Sequence, residues 1–200
     1  GVGVRVDHVM GLFRLFWIPE GRPSSEGAYV RYPWRDLLGI LCLEATRAGA
    51  FVVGEDLGTV EPAMREELAA RNVLSYRVLW FEEEAPSQWP AKAMATVTTH
   101  DLPTIAGVFT GTDGETEFAS KLSGTGVDDA VVGAYASLAA SPCVLAAATL
   151  EDVLGVEERP NRPGTLDEWN WSRPLPVPLE SLVADPRLAA VARTLNARGS

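Results

Sequence analysis

Residues 50–72 read AFVVGEDLGTVEPAMREELAARN. An apolar, β-branched run ends in glycine and two acids, Glu55 and Asp56. Pro62 then opens a helical stretch that Asn72 closes. This is one strand–helix unit with its charge at the strand's C-terminal end. The run is apolar at nearly every position, which predicts a strand buried on both faces, as parallel sheets require.

The same grammar recurs on either side. GVGVRVDHV (1–9), SYRVLWFE (75–82), MATVTTHD (94–101) and CVLAAATLED (143–152) read as four more strands of the same kind. PWRDLLGILCLEATRAG (33–49) places Leu37, Leu38, Leu41 and Ala45 on one helical face and ends in glycine. DDAVVGAYASLAAS (128–141) predicts a helix before the fifth strand, and a last helix is expected near 185–196. GTDGETEFASKLSGTG (111–126) reads as a polar loop. The tail 157–183 is rich in Pro and Trp and is expected to wrap the domain as an extended segment.

Strands alternating with helices imply right-handed crossovers and a parallel sheet. A doubly wound sheet and a (β/α)8 TIM barrel both satisfy that pattern. The acids favour the barrel. Asp7, Glu55 with Asp56, and Asp101 each fall at the C-terminal end of a different run, and a barrel brings all strand ends to one rim. A doubly wound sheet usually carries a glycine-rich phosphate loop at its switch point. GVGV lacks the third glycine and precedes a strand, so it does not supply one. The expected class is α/β, a partial (β/α)8 barrel. Five strands do not close eight, and the chain opens in mid-strand without Met. Residues 1–200 are therefore expected to be the C-terminal portion of a single catalytic barrel domain, with its N-terminal strands absent.

Asp and Glu outnumber Lys and Arg 27 to 17, for a formal charge of −10. Lys92 and Lys121 lie far apart, so no basic cluster exists to hold phosphates and no nucleic-acid partner is expected. There is no charged-then-apolar leader and no apolar run of 18 residues, so no membrane partner is expected and the location is read as cytoplasmic. Cys42 and Cys143 each sit in apolar runs and read as free buried thiols.

Arg5 and Asp7, two positions apart, share one strand face. A guanidinium that close would hold the carboxylate ionised and oriented, as a nucleophile toward an anomeric carbon needs. Glu55 follows an apolar approach and a glycine. Burial there would raise its carboxyl pKa, which suits a proton donor. His100 precedes Asp101, and the only other histidine, His8, likewise abuts an acid. Three carboxylates on one rim, with Arg and His beside them, form a layout for glycoside chemistry through a cationic transition state. Trp17, Tyr29, Trp80 and Phe81 could stack on sugar faces. The same residues could instead hold a divalent ion. Against a metal stand the missing H-x-H and H-E-x-x-H spacings and the repulsion Arg5 would exert. A chelator assay separates the two.

VRVDHVMGLFRLFWIPEG, GAYVRYP, VVGEDLGTV, TVTTHDLPTIAG and NRPGTLDEWNWSRPLPVPLE, in that order, closely resemble the 4-α-glucanotransferases (amylomaltases, disproportionating enzymes) of glycoside hydrolase family 77, in the α-amylase clan. The resemblance implies Asp7 as nucleophile, Glu55 as general acid/base and Asp101 as transition-state stabiliser. It implies Arg5 and His100 as the residues holding the donor glucose, and Asp56 and Asn161 as further substrate contacts. It implies transfer of α-1,4-glucan segments between maltooligosaccharides with no metal or organic cofactor, and a chain that covers roughly the fourth through eighth strands. A hydrolase of the same clan would use the same three acids, and a non-catalytic glucan-binding fragment would keep the same hydroxyl contacts. The 200 residues alone are expected to be inactive.

Overall fold

The structure is a computed structural model and describes residues 2–114 and 116–197. Gly1 of the first predicted strand and Glu115 of the predicted loop lie outside the described residues. The chain is mixed α/β and forms two compact units, Gly1–Tyr76 and Arg77–Ser200.

In the first unit, β1 (Gly3–Val6) pairs in parallel with β4 (Phe51–Gly54), with Arg5 opposite Val53 and Val6 opposite Gly54. Val53 in turn bridges Leu74 in parallel, just before β5 (Ser75–Val78) begins. Helix α1 (Trp34–Arg47) forms the crossover, and its Leu38 is fully buried. Leu38 packs with Val9, Met10, Phe13, Val52, Leu68 and Val73 to form the core of this unit. Burying a leucine of this kind is worth roughly 1.5–3 kcal/mol. Helix α2 (Pro62–Ala70) has Pro62 in its first turn, and Asn72 beyond its end takes a positive φ of 56°.

The sequence reading missed a hairpin of β2 (Arg14–Trp17) and β3 (Ala28–Arg31), antiparallel and inserted between β1 and α1, and two short helices, one at Ile105–Thr110 and α6 (Leu179–Leu182) in the tail read as extended. The cue for the hairpin was present in PEGR. Pro19 O accepts from Arg22 N at 3.0 Å, with Gly21 at φ 73°. A turn of this shape needs glycine at its third position.

The second unit contains a sheet in the order β5-β6-β7. β6 (Ala93–Thr96) pairs in parallel with β7 (Leu145–Ala146). Helix α3 (Ile105–Thr110) follows β6, and α4 (Val127–Ala139) packs on both α3 and α7 (Pro186–Asn196). Ile105, Tyr135, Leu138 and Val153 fill the core.

All five predicted strands are present but shorter than read. The run 143–152 gives two strand residues and then α5 (Leu150–Val153), because Thr149 caps a helix by accepting from Asp152 N. The run 94–101 leaves the sheet at Thr96. β1 is not buried on both faces: Val4 is exposed. Among the described residues no helix is long and apolar enough to cross a membrane. Cys42 and Cys143 are not joined in a disulfide, and the Cys143 thiol donates to Pro90 O at 3.4 Å. Cys143 is buried and Cys42 half-buried, and burial pushes the Cys42 thiol pKa up.

Candidate active site

The parallel register of β1 and β4 has a direct chemical result. Val6 faces Gly54, and the next residues along are Asp7 on one strand and Glu55 on the other. Two acids separated by 48 positions thus end neighbouring strands. Arg5 Nη1 lies 2.7 Å from Asp7 Oδ1, the same-face pairing the sequence predicts. The Arg5 guanidinium also lies 4.7 Å over the Tyr76 ring, and its Nε is buried without a hydrogen-bond partner among the described residues.

Glu55 is held by backbone. His8 N donates to Oε2 at 2.8 Å and Leu57 N donates to Oε1 at 2.7 Å. Each oxygen keeps a second lone pair that can take a proton. His8 reaches Glu55 because its backbone is left-handed, φ 45° and ψ 61°. That turn aims successive N–H groups to one side: Val9 N donates to the Glu55 carbonyl at 3.0 Å. Gly54 suits the corner, since a Cβ there would come within 3.1 Å of Val9 Cγ2.

Asp56 has a different setting. It is buried, and its carboxylate accepts from Ser75 Oγ at 2.7 Å and Tyr76 N at 3.0 Å, with Arg65 Nε at 3.6 Å. It ties the end of β4 to the start of β5.

The second unit presents Asp101, His100 and Asn161 together. Asn161 Nδ2 donates to Asp101 Oδ1 at 2.6 Å, and His100 Nε2 lies 3.4 Å from the same oxygen. Asn161 N donates to His100 O at 3.1 Å. The sequence reading found these three residues but missed what supports them. Arg159 Nη1 donates to the Asp101 carbonyl at 2.8 Å, while its other nitrogens grip the buried Asp113 carboxylate, Nε at 3.0 Å from Oδ2. Thr104 caps α3 by accepting from Gly107 N at 3.0 Å and donates its own proton to Glu157 O at 3.0 Å. A Cβ on Gly107 would sit 2.3 Å from that carbonyl, so only glycine allows the approach. Residues 157–161 are thereby strapped to the Asp101 turn.

A buried network lies beneath. Asp152 accepts from Ile105 N at 2.8 Å and from Tyr135 Oη at 2.9 Å. Burial pushes its carboxyl up to about 6, and Tyr135 well above its ordinary value. Of the aromatics proposed as sugar platforms, Trp80 is buried. It stacks on Phe118 and donates to Pro103 O, so it is core. Trp17, Tyr29 and Phe81 are exposed.

The sequence profile of glycoside hydrolase family 77, 4-alpha-glucanotransferase, matches residues 2–179. The chain belongs to this family. The 4-alpha-glucanotransferase of Mycobacterium tuberculosis is 37% identical over 243 residues, which cover 97% of this chain and 34% of the relative. That of Haemophilus influenzae is 47% identical over 107 residues, 51% of this chain and 15% of the relative. Among solved structures, the amylomaltase of Corynebacterium glutamicum superposes with a TM-score of 0.87 at 31% identity, over 98% of this chain and 36% of that one. An amylomaltase of Streptococcus agalactiae shares the fold, with a TM-score of 0.75 at 17% identity, over 98% of this chain and 41% of that one. The chain thus spans about a third of the length of the mycobacterial relative.

Proposed function

We propose that the whole protein is a 4-α-glucanotransferase that moves α-1,4-glucan segments between maltooligosaccharides by retaining double displacement. The observation that carries this reading is the pair of acids ending two adjacent parallel strands. Neighbouring strands lie about 4.8 Å apart, close to the about 5 Å between the carboxyls of a retaining enzyme. Asp7, held by Arg5, attacks the anomeric carbon and forms the covalent glucosyl intermediate. Glu55 protonates the departing glycosidic oxygen and then, as its carboxylate, deprotonates the incoming hydroxyl. Asp101 stabilises the cationic transition state. Arg5 and His100 hold the donor glucose and Asn161 adds a further contact, while Asp56, buried against Ser75 and Tyr76, acts from behind by fixing the end of β4. No metal or organic cofactor enters these steps.

The same reading makes the chain strands four to eight of a catalytic (β/α)8 barrel. Strand order supports it: β1-β4 with a bridge to Leu74, then β5-β6-β7, is sequential within each unit and has no switch point. By this reading the protein works in the cytoplasm, and the 200 residues alone do not turn over glucan.

Incubating the whole protein with maltotriose tests the proposal. A ladder of shorter and longer glucans is expected. Accumulating reducing ends without longer products would replace transferase with hydrolase, and binding without turnover would leave a glucan-binding module. Turnover by the isolated 200 residues would overturn the statement about their inactivity.

A further inference from the structure

Asp7 is a weak anchor for Arg5. The two side chains meet at 2.7 Å, but that of Asp7 is 60% exposed. Water and salt screen such a pair, so it fixes a long side chain poorly. A second hold comes from the other direction. The Arg5 guanidinium carbon lies 4.7 Å from the centre of the Tyr76 ring. That is inside the about 6 Å over which an aromatic face attracts a cation. Arg5 Nε is also buried without a hydrogen-bond partner among the described residues. A buried donor left unpaired is costly, and the ring face is the contact that offsets it.

The ring is fixed independently of Arg5. Tyr76 is buried. Its N donates to Asp56 Oδ1 at 3.0 Å, and Ser75 Oγ donates to Asp56 Oδ2 at 2.7 Å. Two residues earlier, Leu74 N donates to Val52 O and Leu74 O accepts from Gly54 N, both at 2.8 Å. Three neighbouring segments share this register, with Arg5 opposite Val53 and Val53 bridging Leu74. A platform held by backbone and a buried carboxylate does not move when Arg5 moves. The contacts run in series from Asp56 to Tyr76 to Arg5 to Asp7. The proposed chemistry makes the platform matter. As an Asp7 oxygen bonds the anomeric carbon, the leaving oxygen departs with the Glu55 proton and Asp7 becomes a neutral ester. Arg5 then has no counter-ion at Asp7. The ring quadrupole still attracts the cation and keeps it facing the ester until the carboxylate returns.

We propose that Tyr76 is a positioning residue for the nucleophile, its ring face holding the Arg5 guanidinium against Asp7 through both displacements. This rests on the transferase reading above. The test uses the whole protein with Tyr76→Phe as reference, so that the hydroxyl is absent from every arm. Mono-, di- and trifluorinated phenylalanine at position 76 then drain the ring face stepwise at nearly constant size. kcat/KM for maltotriose disproportionation should fall with each fluorine, by about tenfold across the series. Tyr76→Leu, which has no ring face, should fall as far. A ring that only fills space gives a flat series, and a flat series would overturn the proposal while leaving the transferase reading intact. A second arm needs no turnover. Denaturant midpoints are read across the same series with Arg5 present and with Arg5→Met. Stability should fall more steeply with fluorination when the guanidinium is there. Equal slopes in the two backgrounds would show that the ring does not act through Arg5 and would also overturn the proposal. An unmutated whole protein that does not disproportionate maltotriose would remove the transferase reading and this role with it.

Discussion

The Asp7–Glu55 corner and the Asp101 corner are built by different means. The first comes from sheet register: β1 and β4 lie side by side, and the acids are the residues that follow the last matched pair. Its supports are backbone N–H groups from His8 and Leu57 and one local guanidinium. The second comes from a strap. Asp101 is held by Asn161 and Arg159, about sixty residues on, and its turn is anchored below by Asp152. Sheet register is tolerant of side-chain change because backbone fixes it. A strap depends on particular side chains, so its corner is the one that point substitutions should disturb structurally.

The largest effect should fall on chemistry in the first corner. Asp7→Asn in the whole protein should reduce maltotriose disproportionation by about four orders of magnitude, with the melting temperature little changed. An equal loss of folding would show that the sheet corner also relies on its side chain. Next comes Arg159→Met. The Asp113 and Arg159 side chains are 1% and 7% exposed, so removing one partner strands a buried charge, at about 3–5 kcal/mol. Chemical denaturation should show that loss, and a double Asp113→Asn, Arg159→Met variant should recover much of it.

Asp152 supplies a pH test of the same strap. Its folded pKa, about 6, lies above the ordinary carboxyl value of 3.8. The native state therefore binds this proton more tightly than the unfolded chain does. The resulting stability is fully present below about pH 4 and is lost as pH rises through 6. Asp152→Asn cannot lose it. The stability of the variant relative to the parent should improve from pH 4 to 6 by on the order of 2–3 kcal/mol, and a flat difference would remove the buried carboxylate from the account. The smallest effect returns to the first corner. His8→Val should cost about 1–2 kcal/mol because a β-branched residue resists the left-handed turn. His8→Gly should restore the conformation. If valine were tolerated as well as glycine, the backbone turn would not be what holds Glu55.

Much of the fold was legible because its cues are local. Period and punctuation located all five predicted strands and the long helices. Pro62 and Asn72 mark the two ends of α2 where expected. The hairpin escaped because RLFW and AYVR are short and exposed on both faces, without the clean alternation that marks a half-buried strand. The last strand was overread because AAATLED suits strand and helix alike until Thr149 caps a helix. In the site, Asp7, Glu55 and Asp101 were legible as acids closing apolar runs, and Arg5 as a same-face neighbour. Arg159 and Tyr135 were not, since nothing local in ERPN or GAYA says which turn each will meet.

The sequence alone determined the order of strand, acid and helix, and the motifs that carry the family likeness, because both are written in neighbouring residues. Tertiary structure decided which oxygen meets which donor: Glu55 under the His8 turn, Asp101 under Asn161 and Arg159, and Asp56 spent on the start of β5. Those pairings join residues between 19 and 60 positions apart. Distances of that kind are set by how elements pack, and packing is a property of the folded chain.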